Sequence, residues 1–430
     1  MKASTENSGN CQAVLTVEAE ASELDRSLDE AYDHLVNKVS IPGFRKGKAP
    51  RAVLVQHIGR TNLLEEALEH LIPQLYKEAI ESQGLEPIDR PEIEIIQTEP
   101  LVFKAMISLK PEVKLGDYHS IRLEPEPVPE IASEEITAAV EQLRERQGTW
   151  VPVDRSVETG DLITLDIEAS VEGKRWLDRK GVIYEVDGDS RSPVPGFASH
   201  LQGIEKNTEK TFTLTIPHDY PVGEMRGKEG AFRVTVTEIK EKQLPELDDE
   251  LARSIGHDDL DGMRQKVAAD LRTRAEASNR SELRQKALDA LVEISEVNYP
   301  PVLEDGEIVG LLRNEAQRLG FTEVADYVRR TGKTEEELRE ALRPIARKRL
   351  TQGLVLGKLA EGEGIEISSS EVDNRVDEIA DEAEDKEKAR QFFSLPQIRE
   401  SIEQSLHTQR TMDRLLEIAV ANADDTKKGE

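Results

Sequence analysis

The chain has 430 residues and a formal net charge of −29, with 37% hydrophobic, 33% charged and only 4% aromatic residues. That length exceeds what one core usually organises and predicts two to four domains, while the anionic balance excludes broad attraction to nucleic acid or anionic lipid and confines any polyanion contact to a local patch. A single Cys11 excludes an intramolecular disulfide, no apolar run reaches bilayer-spanning length, and residues 1–10 lack the apolar stretch of a secretion signal, so a cytoplasmic protein without a membrane partner is expected.

Residues 1–110 read as an α/β unit that opens with an extended segment, 12–18. Ser22 is the expected N-cap of a helix whose Leu24, Leu28, Ala31, Leu35, Val36 and Val39 recur at helical spacing. A turn-rich loop, 41–50, interrupts the pattern. A long helix is expected over 63–83, with Leu64, Leu68, Leu71, Leu75 and Ala79 on one face and Gly84 as its stop. Two strands close the unit, the second marked by the alternation of Leu101, Phe103, Ala105, Ile107 and Leu109.

Pro111, Pro125, Pro127 and Pro129 predict an extended linker over 111–129. A helix follows from about Ser133, and 111–154 leads into a small β-rich domain, 155–242, with strands expected at 162–167, 211–216 and 232–239. Residues 243–422 read as charged, amphipathic helices. Pro300 and Pro301 break the first long helix, Gly320 and Gly332 punctuate the next pair, and Pro396 divides the last two. A frayed tail is expected over 423–430.

Although Asp and Glu number 86, none lies between His34 and Leu64, a window that holds Lys38, Arg45, Lys46, Lys48, Arg51 and Arg60. Gly43 and Gly47 let the loop turn, Pro42 and Pro50 stiffen its ends, and Phe44 sits between cations. Arginine clamps phosphate while an aromatic tip packs on a base or an apolar side chain, a combination that suits RNA and a protein surface. A basic loop taken alone is more often a solvated turn. However, Gly43, Phe44, Arg45, Lys46, Gly47, Lys48 and Pro50 resemble the ribosome-docking loop of trigger factors, and the resemblance extends over nearly the whole chain.

That resemblance implies a multidomain α+β protein: an α/β ribosome-binding domain, a small FKBP-like β-rich domain, and a mostly α-helical chaperone domain with projecting arms. It implies an ATP-independent chaperone that binds the ribosome near the polypeptide exit, through ribosomal protein and rRNA, and receives nascent and unfolded polypeptides during early folding and export. It is also compatible with a homodimer off the ribosome. Within 155–242, Gly160, Asp161, Gly173, the run 194–197, Gly203, Asp219, Tyr220 and the run 227–232 resemble an FKBP-type prolyl isomerase. The family pattern assigns the walls and floor of the pocket to Trp176, Val194, Phe197 and Tyr220, with Tyr220 also able to hydrogen-bond a substrate carbonyl. The sequence departs from it at Ile167, Leu177 and Ala198, where an aromatic residue, aspartate and glutamate are usual. An alternative reading is a free FKBP-type prolyl isomerase whose flanking helices recruit substrate.

Client contacts are expected among the apolar helix residues Leu311, Leu354, Phe392 and Phe393, with Leu312, Leu356, Leu359, Leu415 and Leu416 as further candidates. No cofactor is expected: the chain has no P-loop or dinucleotide fingerprint, and its eight histidines are scattered without metal-ligand spacing.

Overall fold

The computed structural model describes every residue except 125, 126, 128, 129, 219, 221–224 and 428–430, and gives no side chains for 422–427. Pro125, Pro129 and Asp219, singled out in the sequence, therefore lie outside the described residues. Two units are distinguished, Met1–Glu126 with Arg280–Glu430, and Pro127–Asn279. No described helix is long and apolar enough to cross a membrane.

The first unit begins with four antiparallel strands, β1 (Lys2–Gly9), β2 (Gln12–Glu18), β3 (Glu92–Thr98) and β4 (Leu101–Ser108), paired in the order β1-β2-β4-β3. Leu15 lies opposite Ala105 and Val17 opposite Phe103. Because facing residues of an antiparallel pair share a face, Leu15, Val17, Phe103, Ala105 and Ile107 form one apolar surface. The helices α1 (Ala21–Lys38) and α3 (Arg60–Gln83) cover it, with Leu24, Leu71, Leu75 and Ala79 completing the core. Burying each large aliphatic or phenyl side chain there contributes about 1.5–3 kcal/mol.

Ser22 is not the N-cap expected of it. The helix starts at Ala21 with Glu20 as its N-cap, two residues earlier than expected, and the Glu23 carboxylate accepts from the Glu20 N–H at 2.7 Å to close the first turn. A short α2 (Arg51–Ile58) precedes α3, and Leu35, Val36, Ile41, Ala49, Leu54 and Leu63 make a second core around it. Gly84 ends α3 in the left-handed conformation, as expected.

In the second unit, α4 (Ser133–Arg146) leads into a sheet of β6 (Thr149–Pro152), β7 (Leu162–Val171), β8 (Lys174–Glu185), β9 (Glu209–Thr215) and β10 (Glu229–Gln243). The order is β6-β10-β7-β8, with β9 also against β10. Alternate residues Ile163, Leu165, Val234 and Val236 face a core shared with Phe197 and Leu201 of the short α5 (Phe197–Leu201). Asp161, almost fully buried, accepts from Arg155 Nη1 and Nη2 at 2.7 and 2.9 Å and from the Glu158 N–H at 2.8 Å, which fixes the entry to β7. A separate small core joins Val140 of α4 to Ala252 of α6 (Asp249–Ser254) and to Met263 and Val267 of α7 (Leu260–Glu293).

The remainder of the first unit is helical: α8 (Pro301–Arg318), α9 (Val324–Thr331), α10 (Glu335–Glu363), α11 (Ser369–Asp381), α12 (Lys386–Phe393) and α13 (Pro396–Lys427). The helix α13 runs on through Lys427, beyond the residue 423 at which fraying was expected. The segment read as a linker is partly packed: β5 (Glu112–Lys114) pairs with β11 (Glu296–Asn298), and Ile121 is buried with Leu291, Val355, Leu359 and Leu415. The Tyr118 hydroxyl donates to Glu363 at 2.8 Å from the same stretch. A second helical core holds Ile308, Leu312, Tyr327, Leu338 and Ala346. Leu312, Leu359 and Leu415 are thus core residues and offer no surface to a client.

Candidate functional site

The loop after α1 is anchored at both ends and free at its tip. Ile41 and Ala49 are buried, and the Tyr32 hydroxyl donates to the Ala49 carbonyl at 2.7 Å. Inside the loop, Phe44 N–H donates to Ile41 O at 3.1 Å, Gly47 N–H to Val36 O at 2.9 Å and Lys48 N–H to Arg45 O at 3.0 Å. Gly47 has a positive φ of 76°, a conformation that favours glycine, and a Cβ there would stand 2.5 Å from Asn37 Oδ1, so the exposed Asn37 side chain would have to turn aside.

The tip presents Gly43, Phe44, Arg45 and Lys46 to solvent, with Lys48 and Pro50 exposed on the return and Gly47 half-buried. Phe44 keeps 43% of its surface accessible. Among the described residues, no carboxylate forms an ion pair with Arg45, Lys46 or Lys48, whereas the flanking Arg51 and Arg60 are held by Asp29 and Glu99. The loop therefore carries uncompensated positive charge around an apolar ring. Its shape suits an anionic surface that also offers an apolar contact.

In the second unit a cavity of about 290 Å³ is lined by Ile167, Trp176, Leu177, Val182, Tyr184, Phe197 and Tyr220 among others. Trp176 meets Tyr220 edge to face at 5.6 Å between ring centres, and Tyr184 meets Phe197 at 5.5 Å. Three of the four residues assigned to pocket walls are brought together here. Val194 is not at the lining; fully buried, it belongs to the core behind it. The Tyr220 hydroxyl has no hydrogen-bond partner among the described residues, and burial pushes its phenol above the ordinary value, which keeps it a proton donor. The Tyr184 hydroxyl, by contrast, already donates to Ser192 O at 2.9 Å. Larger clefts of about 700 and 570 Å³ occur elsewhere, but their linings lack an aromatic side chain. Tyr184 escaped sequence reasoning because it sits on β8, whose charged residues hide the strand period.

Of the four expected client contacts, Phe392 is 54% exposed. Leu311, Leu354 and Phe393 are half-buried. Leu395 beside the phenylalanines is also exposed, and the rings of Phe392 and Phe393 meet edge to face at 5.3 Å.

The histidines are not all scattered. The fold brings His34 of α1 to Glu66 and His70 of α3, with their ligand atoms within 4.8 Å of one another. This revises the expectation of no metal-ligating cluster. The four-residue spacing of Glu66 and His70 was legible, but His34 lies 32 residues from Glu66 and only the helix pairing unites them.

Comparison with known proteins places the chain in a family. Residues 1–143 match a model of the bacterial trigger factor protein, and residues 259–417 match a model of the trigger factor C-terminus. The chain is 33% identical to a trigger factor of Dehalococcoides mccartyi over 444 aligned positions, covering 100% of this chain and 99% of that protein. It is 37% identical to one of Moorella thermoacetica, covering 88% of this chain and 86% of the relative. A solved structure, described as concerning promiscuous substrate recognition in folding and assembly activities of the trigger factor chaperone, shares the fold with a TM-score of 0.53 at 22% identity. That likeness covers 97% of this chain and 99% of the solved one.

Proposed function

The chain belongs to the bacterial trigger factor family of ribosome-associated chaperones, and from that membership we propose that the 41–50 loop is its anchor on the ribosome, beside the polypeptide exit. The observation that carries this reading is the Phe44 tip set among three unpaired cations in a chain of net charge −29. Arg45, Lys46 and Lys48 would meet rRNA phosphate, and Phe44 an apolar side chain of a ribosomal protein. Gly43, Gly47 and Pro50 shape the turn. Cosedimentation with ribosomes tests this: binding should be lost on changing Phe44, Arg45 and Lys46 together to alanine, and undiminished binding rejects the anchor.

We assign 1–110 to docking, 155–242 to a prolyl isomerase domain, and 111–154 with 243–422 to the body that shelters nascent and unfolded chains in the cytoplasm, without ATP. Leu311, Leu354, Phe392 and Phe393 would contribute apolar contacts that tolerate many clients, while the acidic surface keeps complexes soluble. Off the ribosome we expect a homodimer, which sedimentation equilibrium would detect as a concentration-dependent mass.

The pocket supports peptidyl-prolyl isomerisation as a second activity. The barrier about a peptide bond is about 18–20 kcal/mol because the twisted amide loses resonance. An apolar cavity that strips water from the amide favours that less polar twisted form, and the unpartnered Tyr220 hydroxyl can hold a substrate carbonyl. Trp176, Phe197 and Tyr220 form the walls, with Val194 supporting from behind. A proline-limited refolding assay tests the activity; no acceleration by the wild-type chain would refute it.

A further inference from the structure

We propose that His34, Glu66 and His70 bind a zinc-class divalent cation and so clamp α1 to α3 beneath the docking loop. Two imidazoles and one carboxylate suit zinc, nickel, cobalt or copper ions, whereas calcium and magnesium prefer all-oxygen shells. Glu66 and His70 are four residues apart on α3 and therefore share a helix face. His34 reaches the same point from α1, with its Nδ1 2.6 Å from Glu66 Oε1, while His70 Nε2 stands 3.8 Å from that oxygen. The two imidazole rings meet edge to face at 6.2 Å between centres.

The scaffold is firm and the ligands are adjustable. Ala31, Leu35, Leu63 and Ala67 bury the contact between the helices, and the Ser27 hydroxyl donates to Ala67 O at 2.8 Å across it. The side chains of His34 and His70 are 52% and 66% exposed, so they rotate without disturbing the core, while Glu66 is 17% exposed and held in place. Ligands at about 2.0–2.2 Å from a metal require their donor atoms to lie closer together than 4.8 Å, which the exposed rings reach by small rotations. Three protein ligands leave at least one position for water. His34 stands within one turn of Val36, whose carbonyl receives the Gly47 N–H, so a bound cation would stiffen the base of the docking loop.

The test uses the full chain freed of metal with a chelator and titrated with Zn²⁺ against a competing chromophoric chelator. The wild type should bind a single zinc ion tightly. Combining His34→Asn with His70→Asn should weaken binding by at least about tenfold, whereas His57→Asn on α2 should not. Thermal unfolding supplies a second reading: Zn²⁺ should raise the Tm of the wild type and leave the double variant, whose metal-free Tm is expected to be nearly unchanged, where it was. Wild-type affinity no higher than that of the double variant, or an equal loss in His57→Asn, overturns the proposal and leaves His34 and Glu66 as an ordinary hydrogen-bonded pair.

Discussion

Replacing Phe44 by alanine separates the apolar part of docking from the ionic part. Phe44 exposes 43% of its surface. Of roughly 200 Å² for a phenylalanine, about 85 Å² remains to be buried, worth about 2 kcal/mol at ~25 cal/mol/Å². Its loss should raise the Kd for ribosomes about thirtyfold. The cations act differently. If Arg45, Lys46 and Lys48 each neutralise one phosphate, log K should fall with log salt at a slope of about −2 to −2.7, a loss of about 16- to 40-fold between about 50 and 200 mM salt. Fluorescence binding titrations over that range should show Phe44→Ala shifting the whole line while keeping its slope. Arg45→Ala with Lys46→Ala should flatten the slope to about −0.7 to −0.9. A wild-type slope near zero, or a slope unchanged in the charge variant, would refute the phosphate contacts, and an unaffected Kd in Phe44→Ala would refute the apolar one.

Tyr220→Phe removes the free hydroxyl while keeping the ring, so refolding acceleration should drop several-fold with no loss of stability; an unchanged rate would take Tyr220 out of the chemistry. Phe197→Ala would be less clean, because emptying a fully buried phenylalanine site costs about 3–5 kcal/mol. Glu304 is buried and accepts from Arg343 Nη1 and Arg347 Nε, each at 2.7 Å. Burial alone would raise its carboxyl, but the hydrogen bonds from Arg347 and Arg343 outweigh that and hold it below the ordinary value. Glu304→Ala should therefore lower stability by about 2 kcal/mol in urea unfolding, and no change would mean the pair contributes nothing net. Glu371 is depressed from 4.5 to about 2, first by the Arg410 hydrogen bond and then by the Ser368 N–H and hydroxyl. Its folded-state value lies below the unfolded one, so its contribution is complete above about pH 4.5 and is lost as pH falls towards 2. Hydrogen exchange in α11 should rise over that window, and Arg410→Met should move the rise to higher pH; identical profiles would contradict the link.

The helices of the first unit were legible because their apolar spacing is the cause of their packing. Leu68, Leu71, Leu75 and Ala79 form the stripe expected of α3, and Leu101, Phe103, Ala105 and Ile107 alternate onto the sheet face that it covers. What escaped lacks such a pattern. In β1, Lys-Ala-Ser-Thr-Glu-Asn-Ser-Gly has no apolar period, and the strand exists through backbone pairing to β2. In β8 the run of charges masks Trp176, Ile183 and Tyr184. Both β5 and β11 are three residues long, too short to carry a period, and depend on each other across the sequence. At the sites, the basic loop 41–50 was visible as a local charge anomaly, and Trp176, Phe197 and Tyr220 as aromatics in a family pattern. Whether Val194 lines the cavity or supports it from behind was not legible, because both positions take the same buried residue type; the fold puts its side chain in the core beside Phe197.

A photoreactive amino acid in place of Phe44 tests the anchor by position, with the same group at the 69%-exposed Ile183 on β8 as the comparison. Irradiated complexes with ribosomes should give a strong crosslink from position 44 to a component at the polypeptide exit and little from position 183. A silent position 44 in a chain that still cosediments, or equal labelling from both positions, would contradict docking through this loop.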